Sequence, residues 1–219
     1  MSRPTGVFVT GTGTDVGKTV VAAAIAKTVA NAGRSVAVFK PAVSGLDVVG
    51  EADHELLRRV SGSAQSDDEI SPYRYGPAAS PHLAAEMAGE EIDPARLRAT
   101  ASAAAESAEF LVCEGVGGLL VPLAPGYLVR NLAAELGLPL VVVASPGLGT
   151  INHTLLTIEA AWTAELEALC VVLTPWPAEP SRIEQSNRET IAEMGAVEVL
   201  TLPAIELADP ESWPALDVV

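Results

Sequence analysis

Basic residues are scarce in this chain: Lys and Arg together number 13 against 28 Asp and Glu, giving a formal net charge of −15. A surface that tracks a nucleic-acid backbone needs a basic stripe, so no nucleic-acid partner is expected, and a phosphate-bearing ligand would need locally concentrated lysines. Cysteine is scarcer still. Cys113 and Cys170 both sit inside apolar runs read as buried strands, which points to reduced core thiols of a cytoplasmic protein rather than to a disulfide. Long hydrophobic runs are missing as well: a stretch such as 138–144 is too short to span a bilayer. Met1-Ser2-Arg3-Pro4 leads into the first strand with no cleavable apolar region, so a soluble, cytoplasmic location without a membrane partner is expected. No internal repeat is visible. The 219 residues suffice for one sizeable domain, spanning 1–219, that buries roughly 70% of its unfolded surface.

What the chain does contain is a regular alternation. Short β-branched or apolar runs at 6–10, 36–40, 110–114, 138–144, 169–174 and 197–201 read as strands. Ala-rich stretches at 18–32, 53–60, 94–107, 129–136, 152–164 and 181–194 read as helices, several opened by Asp, Asn, Ser or Pro and closed near Gly33, Gly137 or Gly195. Continuous apolar strands separated by helices predict an α/β fold, a doubly wound and mostly parallel sheet of the P-loop NTPase kind with helices on both faces. Two segments resist assignment: 62–81, rich in Ser, Asp, Pro and Tyr, and the tail from Pro203. The first is long for a structureless loop and reads either as a lid over the ligand crevice or as plain surface irregularity.

The strongest chemical signal is Gly11-Thr12-Gly13-Thr14-Asp15-Val16-Gly17-Lys18-Thr19, set between the first strand and an Ala-rich helix. Glycines let backbone N–H groups converge on phosphate while the following helix points its positive dipole end at the anion. Lys18 would reach the outer phosphates, and Thr19 supplies the hydroxyl that such loops place on Mg²⁺. The loop is one residue longer than the usual pattern and holds Thr12 where that pattern wants glycine.

Ligands of a doubly wound sheet collect outside the carboxyl ends of its strands, and three ends carry polar residues. The second strand ends in Lys40-Pro41, a second cation that could face phosphates or a developing anion. The third ends in Glu114 and runs into Gly115-Val116-Gly117-Gly118, a carboxylate in the usual position of a magnesium ligand beside a loop of unhindered amides. The run Ser145-Pro146-Gly147-Leu148-Gly149-Thr150-Ile151-Asn152-His153 makes a second anion-friendly cluster of amides at a helix start. Asp53 opens a helix and reads on its own as an N-cap, His153 reads as structural, and His54 reads as solvated.

In this order, Gly11 to Thr19, Lys40-Pro41-Ala42-Val43-Ser44-Gly45, Ser80-Pro81-His82, Glu114-Gly115-Val116-Gly117-Gly118 and Gly149-Thr150-Ile151-Asn152-His153 resemble the dethiobiotin synthetase family over nearly the whole length. The resemblance implies an ATP- and Mg²⁺-dependent carbon–nitrogen ligase that converts 7,8-diaminononanoate and CO₂ into dethiobiotin, working as a homodimer. It implies catalytic roles for Lys18 and Lys40, and magnesium ligation by Thr19, Asp53 and Glu114. Gly13, Thr14, Asp15, Val16, Gly17, Lys18 and Thr19, with Glu114, Thr174 and Pro203, would bind the nucleotide. Thr14, Lys40, Ser44, Gly117 and Gly118 would meet the substrate, whose carboxylate would lie against Gly149, Thr150 and Asn152 of the neighbouring chain.

Two departures from the family pattern stand out. Asp15 is one methylene shorter than the glutamate often found there, and Thr174-Pro175-Trp176 replaces an asparagine that reads adenine in many members. Threonine has one hydroxyl and cannot match the donor and acceptor edge of adenine as an amide does, so weaker base discrimination is expected. Two rival readings fit less well. A larger amidoligase would need a glutaminase domain, for which the chain has no room. A partner-regulated ATPase switch of the partitioning or septum-site type would carry an extra early lysine, which Thr12, Gly13 and Thr14 do not supply.

Overall fold

The computed structural model describes residues 5–218; the expectation drawn from Met1 to Pro4 lies outside the described residues. In chain order the elements are β1 (Gly6–Gly11), α1 (Lys18–Asn31), β2 (Val36–Phe39), α2 (Asp53–Ser61), α3 (Asp67–Ile70), α4 (Pro81–Met87), α5 (Pro94–Ser107), β3 (Phe110–Glu114), β4 (Pro122–Ala124) and β5 (Tyr127–Leu128). They continue with α6 (Val129–Leu136), β6 (Leu140–Ala144), α7 (Thr150–Trp162), β7 (Ala168–Trp176), α8 (Arg182–Gly195) and β8 (Glu198–Pro203). A six-stranded sheet runs β2-β3-β1-β6-β7-β8, every pairing parallel, and β4 and β5 form a separate antiparallel pair.

All six sheet strands were legible as apolar runs because parallel strands covered on both faces are near-continuously apolar. Their residues alternate between two layers. Val7, Val9, Val38, Val112, Val141 and Val143 pack on the side of α1 and α2 with Ile25 and Leu57. Phe8, Phe39, Leu111, Cys113 and Leu140 face the other way, onto Leu97 of α5 and Leu132 of α6. Val142, Ala144, Val171 and Leu173 meet Ile158 of α7 and Ile191 of α8.

The segment 62–81 is not a structureless loop. Ile70, Tyr73 and Tyr75 are buried, and a short ladder joins it to the chain after β2 through Val43 N–H to the Tyr73 carbonyl (2.9 Å) and Tyr75 N–H to the Val43 carbonyl (2.8 Å). Its polar composition concealed these few anchors. The tail after β8 also packs: Trp213, Leu216 and Val218 join the α1 layer, and Leu216 N–H donates to Thr28 Oγ1 at 2.8 Å. Both outer strands are met by side chains. Gln65 accepts from Val38 N–H (2.8 Å) and donates to the Val38 carbonyl (3.1 Å) on β2, while Arg188 Nε donates to the Val199 carbonyl (3.2 Å) on β8. No described helix is long and apolar enough to cross a membrane. Both cysteines are free and buried, as expected.

Candidate active site

Strand register assembles the polar centre. Phe39 of β2 pairs with Cys113 of β3, so the next residues, Lys40 and Glu114, emerge side by side at the carboxyl edge of the sheet. Parity then aims both at the α1 and α2 layer, the side taken by Val38 and Val112. There Lys40 Nζ lies 2.6 Å from Glu114 Oε1 and 2.7 Å from Asp53 Oδ2, and the Thr19 hydroxyl donates to Glu114 Oε1 at 2.9 Å. Asp53 is the first residue of α2 rather than its cap; Ala52 holds the N-cap position, with its N–H donating to Glu55 Oε2 at 2.9 Å. The helix start therefore leaves the Asp53 carboxylate free for Lys40.

The loop after β1 bends through left-handed backbone at Asp15 (φ 57°) and Gly17 (φ 93°). A Cβ on Gly17 would also stand 2.8 Å from Thr174 Cγ2, so glycine serves both conformation and space there. Lys18 folds back over the loop, its Nζ donating to the Gly13 carbonyl at 2.7 Å. The loop after β3 lies close by: a Cβ on Gly118 would come within 3.1 Å of the Gly11 carbonyl.

These elements enclose a cavity of about 840 Å³ whose lining includes Thr14, Lys18, Thr19, Lys40, Ser44, Asp53 and Gly117. Ser44 Oγ donates to the Ala79 carbonyl at 2.7 Å, so residues 78–81 form one wall; this is the part of the 62–81 segment that reaches the site. Glu51, Leu56, Val20 and Leu207 also line the cavity. The sequence reading missed them. Glu51 stands two residues before Asp53, which was the one available signal, whereas Leu207 arrives from a tail with no periodic pattern.

Other assigned residues lie elsewhere. Thr174 is buried beside Gly17, and Pro203 pairs with Trp176 at the carboxyl end of the β7–β8 ladder. Gly149 caps α7 at φ 93°, Thr150 is buried and Asn152 exposed; none of the three lines the cavity of its own chain. His54 is corrected: it is buried, not solvated, with Nε2 4.0 Å from Asp67 Oδ1, and burial draws its pKa down.

The electrostatics follow from burial opposed by pairing. Burial alone would depress Lys40, but Glu114 and Asp53 together outweigh it and hold the ammonium above the usual lysine value. Burial lowers Lys18, with Glu114 pulling the other way. Burial would raise Asp53, yet Lys40 and the Thr19 hydroxyl hold it below the usual aspartate value. Glu114 is raised by burial, with Lys40 opposing. Its Oε2 is buried and without a hydrogen-bond partner, an acceptor left over inside a carboxylate and hydroxyl cluster. Hard oxygen donors of this kind suit Mg²⁺, which takes one or two carboxylates and completes its shell with water and phosphate oxygens. Thr19, Asp53 and Glu114 fit that ion, and the described residues include no cluster of three or more His, Cys, Asp or Glu that could hold a metal alone.

A parallel sheet with a phosphate-gripping loop after its first strand and a carboxylate and lysine at the neighbouring strand ends defines a P-loop NTPase-like protein. The AAA domain family matches residues 5–212. The ATP-dependent dethiobiotin synthetases of Rhodococcus erythropolis and Bacillus subtilis are 41% and 34% identical, each over 89% of this chain and 86% and 85% of their own lengths. That of Anaeromyxobacter dehalogenans is 42% identical over 90% of this chain and 88% of its own. The chain belongs to the ATP-dependent dethiobiotin synthetase family, and with it to the ligases. Among solved structures, a ParA family ATPase from Chlorobium tepidum superposes with a TM-score of 0.58 at 13% identity, covering 95% of this chain and 89% of that one. A chain of the MinC:MinD cell division protein complex from Aquifex aeolicus also gives 0.58, at 15% identity over 94% and 84%. These two likenesses concern the fold alone.

Proposed function

We propose that this chain, acting as one domain in the cytoplasm, closes the ureido ring of dethiobiotin from 7,8-diaminononanoate and CO₂ at the expense of ATP. The observation that carries the reading is the convergence of Lys18, Lys40, Thr19 and Asp53 on one cavity, with the buried Glu114 carboxylate in contact with Lys40 and Thr19 behind it, in a member of this family.

One amine of the diamine captures CO₂ as a carbamate. A carbamate oxygen attacks the γ-phosphate and ADP leaves, giving a carbamic–phosphoric mixed anhydride. The second amine then attacks the carbonyl carbon and expels phosphate. Each stage carries negative charge that cations must offset.

Gly13, Thr14, Asp15, Val16 and Gly17 present the loop backbone to the phosphates, ahead of the positive end of α1. Lys18 exchanges the Gly13 carbonyl for the transferring phosphoryl group. Lys40, kept charged by its two carboxylates, holds the carbamate oxygens, and Thr14 and Ser44 hydrogen-bond beside it. Thr19, Asp53 and Glu114 would hold magnesium, which would supply charge to offset that of the phosphate oxygens. Gly117 and Gly118 border the diamine. Thr174 and Pro203 face the base. Gly149, Thr150 and Asn152 of a second copy receive the substrate carboxylate, which agrees with their lying away from the cavity of their own chain.

The test is phosphate release from ATP, Mg²⁺ and bicarbonate with and without the diamine, with mass analysis of the product. Diamine-dependent turnover yielding a product in which one carbonyl has replaced two hydrogens is expected. Turnover indifferent to the diamine would refute the reading.

A further inference from the structure

Two walls of the cavity come from distant parts of the chain and meet on one side chain outside it. Glu51 belongs to the loop entering α2, two residues before Asp53, and Leu207 belongs to the tail beyond β8; both line the cavity. Arg59, in the last turn of α2, donates from Nε and Nη2 to the two Glu51 carboxylate oxygens, each at 2.7 Å, and from Nη2 to the Leu207 carbonyl at 3.2 Å. The guanidinium thus forms a two-pronged bond to one wall and a further bond to the other.

The Arg59 side chain is 40% exposed and that of Glu51 35%, so the pair contributes little to stability. What a planar fork on a carboxylate does supply is fixed geometry. Leu207 shares the cavity lining with Val20 and Leu56, on the α1 and α2 side where Thr19 and Asp53 project. Of the proposed diamine contacts, Gly117 belongs to the loop after β3, and Ser44, although in the same β2–α2 connection as Glu51, is fastened to the Ala79 carbonyl rather than to Arg59.

We propose that Arg59 is a positioning residue for the nucleotide: by holding Glu51 and the Leu207 carbonyl on one guanidinium it fixes the spacing of two cavity walls and so sets nucleotide affinity without touching the nucleotide. This rests on the functional reading above.

The experiment is titration of Mg²⁺–ATP into the full chain, for wild type, Arg59→Ala and Arg59→Lys, alongside steady-state kinetics and thermal melts. Arg59→Ala is expected to weaken nucleotide binding on the order of tenfold, as loss of an outer-shell partner does. Its kcat at saturating nucleotide and its KM for the diamine should stay within about twofold of wild type, since uniform binding is what is lost. Arg59→Lys should fall between, because an ammonium restores charge but not the fork. Wild-type affinity in Arg59→Ala overturns the proposal. So does a lowered melting temperature accompanied by parallel losses in kcat and diamine KM, which would make Arg59 merely structural. A wild-type chain that binds no nucleotide overturns the functional reading, and the proposal with it.

Discussion

Lys18 and Lys40 share one cavity yet depart from the ordinary lysine value in opposite directions, because burial prevails at Lys18, whereas at Lys40 two carboxylates in contact outweigh it. Lys18 is therefore the first of the two to lose its proton as pH rises. Nucleotide affinity of the free enzyme should decline on the alkaline side, at a lower pH than an ordinary lysine would set, as the Lys18 charge goes. Lys18→Arg, whose guanidinium stays charged, should flatten that decline whatever its absolute affinity. Dissociation constants for ATP measured across the alkaline side check it; equal slopes in the two proteins would assign the decline to another group. Thr174 carries a second prediction. With one hydroxyl at the proposed base-facing position, CTP, GTP and UTP should compete with ATP in a side-by-side turnover assay, and a large preference for ATP would defeat the assignment.

At the scale of elements, α2 matters through its first turn. Asp53→Asn preserves a short polar side chain at the helix start but removes the charge shared by Lys40 and the proposed ion, so the magnesium concentration needed for half-maximal activity should rise. An unchanged magnesium titration would leave Asp53 as a partner of Lys40 only. The strands were legible one by one because each is dominated by apolar residues, and from them came the parallel sheet and the strand-end positions of Lys40 and Glu114. The contact between those two was not legible, since it depends on β2 lying next to β3, a neighbour distant in sequence. Helix α3 escaped notice because four residues are too few to show a period. His54 was misjudged because the polar Asp53 and Glu55 beside it hid the buried face of α2. The tail escaped for a different reason: its hold on the fold is a few widely spaced anchors. Trp213 is the largest, buried and donating from Nε1 to the Glu206 carbonyl at 2.7 Å. Trp213→Ala should cost about 3 kcal/mol in urea unfolding, in the range of large aromatic truncations. A loss near zero would show that the tail's packing contributes nothing to stability.

For the whole molecule, the separation of Asn152 from its own cavity predicts a shared site. Lys18→Ala should be inactive, and Asn152→Asp should place a negative charge against the substrate carboxylate and be nearly so. Mixing the two should recover about a quarter of wild-type activity, because half of randomly paired dimers are mixed and each mixed dimer holds one intact site. No recovery, in the presence of demonstrated subunit exchange, would confine the site to a single chain. How two copies could meet is narrowed by the outermost strands. On β2 the Gln65 amide occupies both hydrogen-bonding groups of Val38, and on β8 the Arg188 guanidinium sits on the Val199 carbonyl. An incoming strand would have to displace these side chains before it could add to either border. The sheet thus resists edge-to-edge growth, and the proposed pairing of two copies is expected to use helices and loops rather than strand addition.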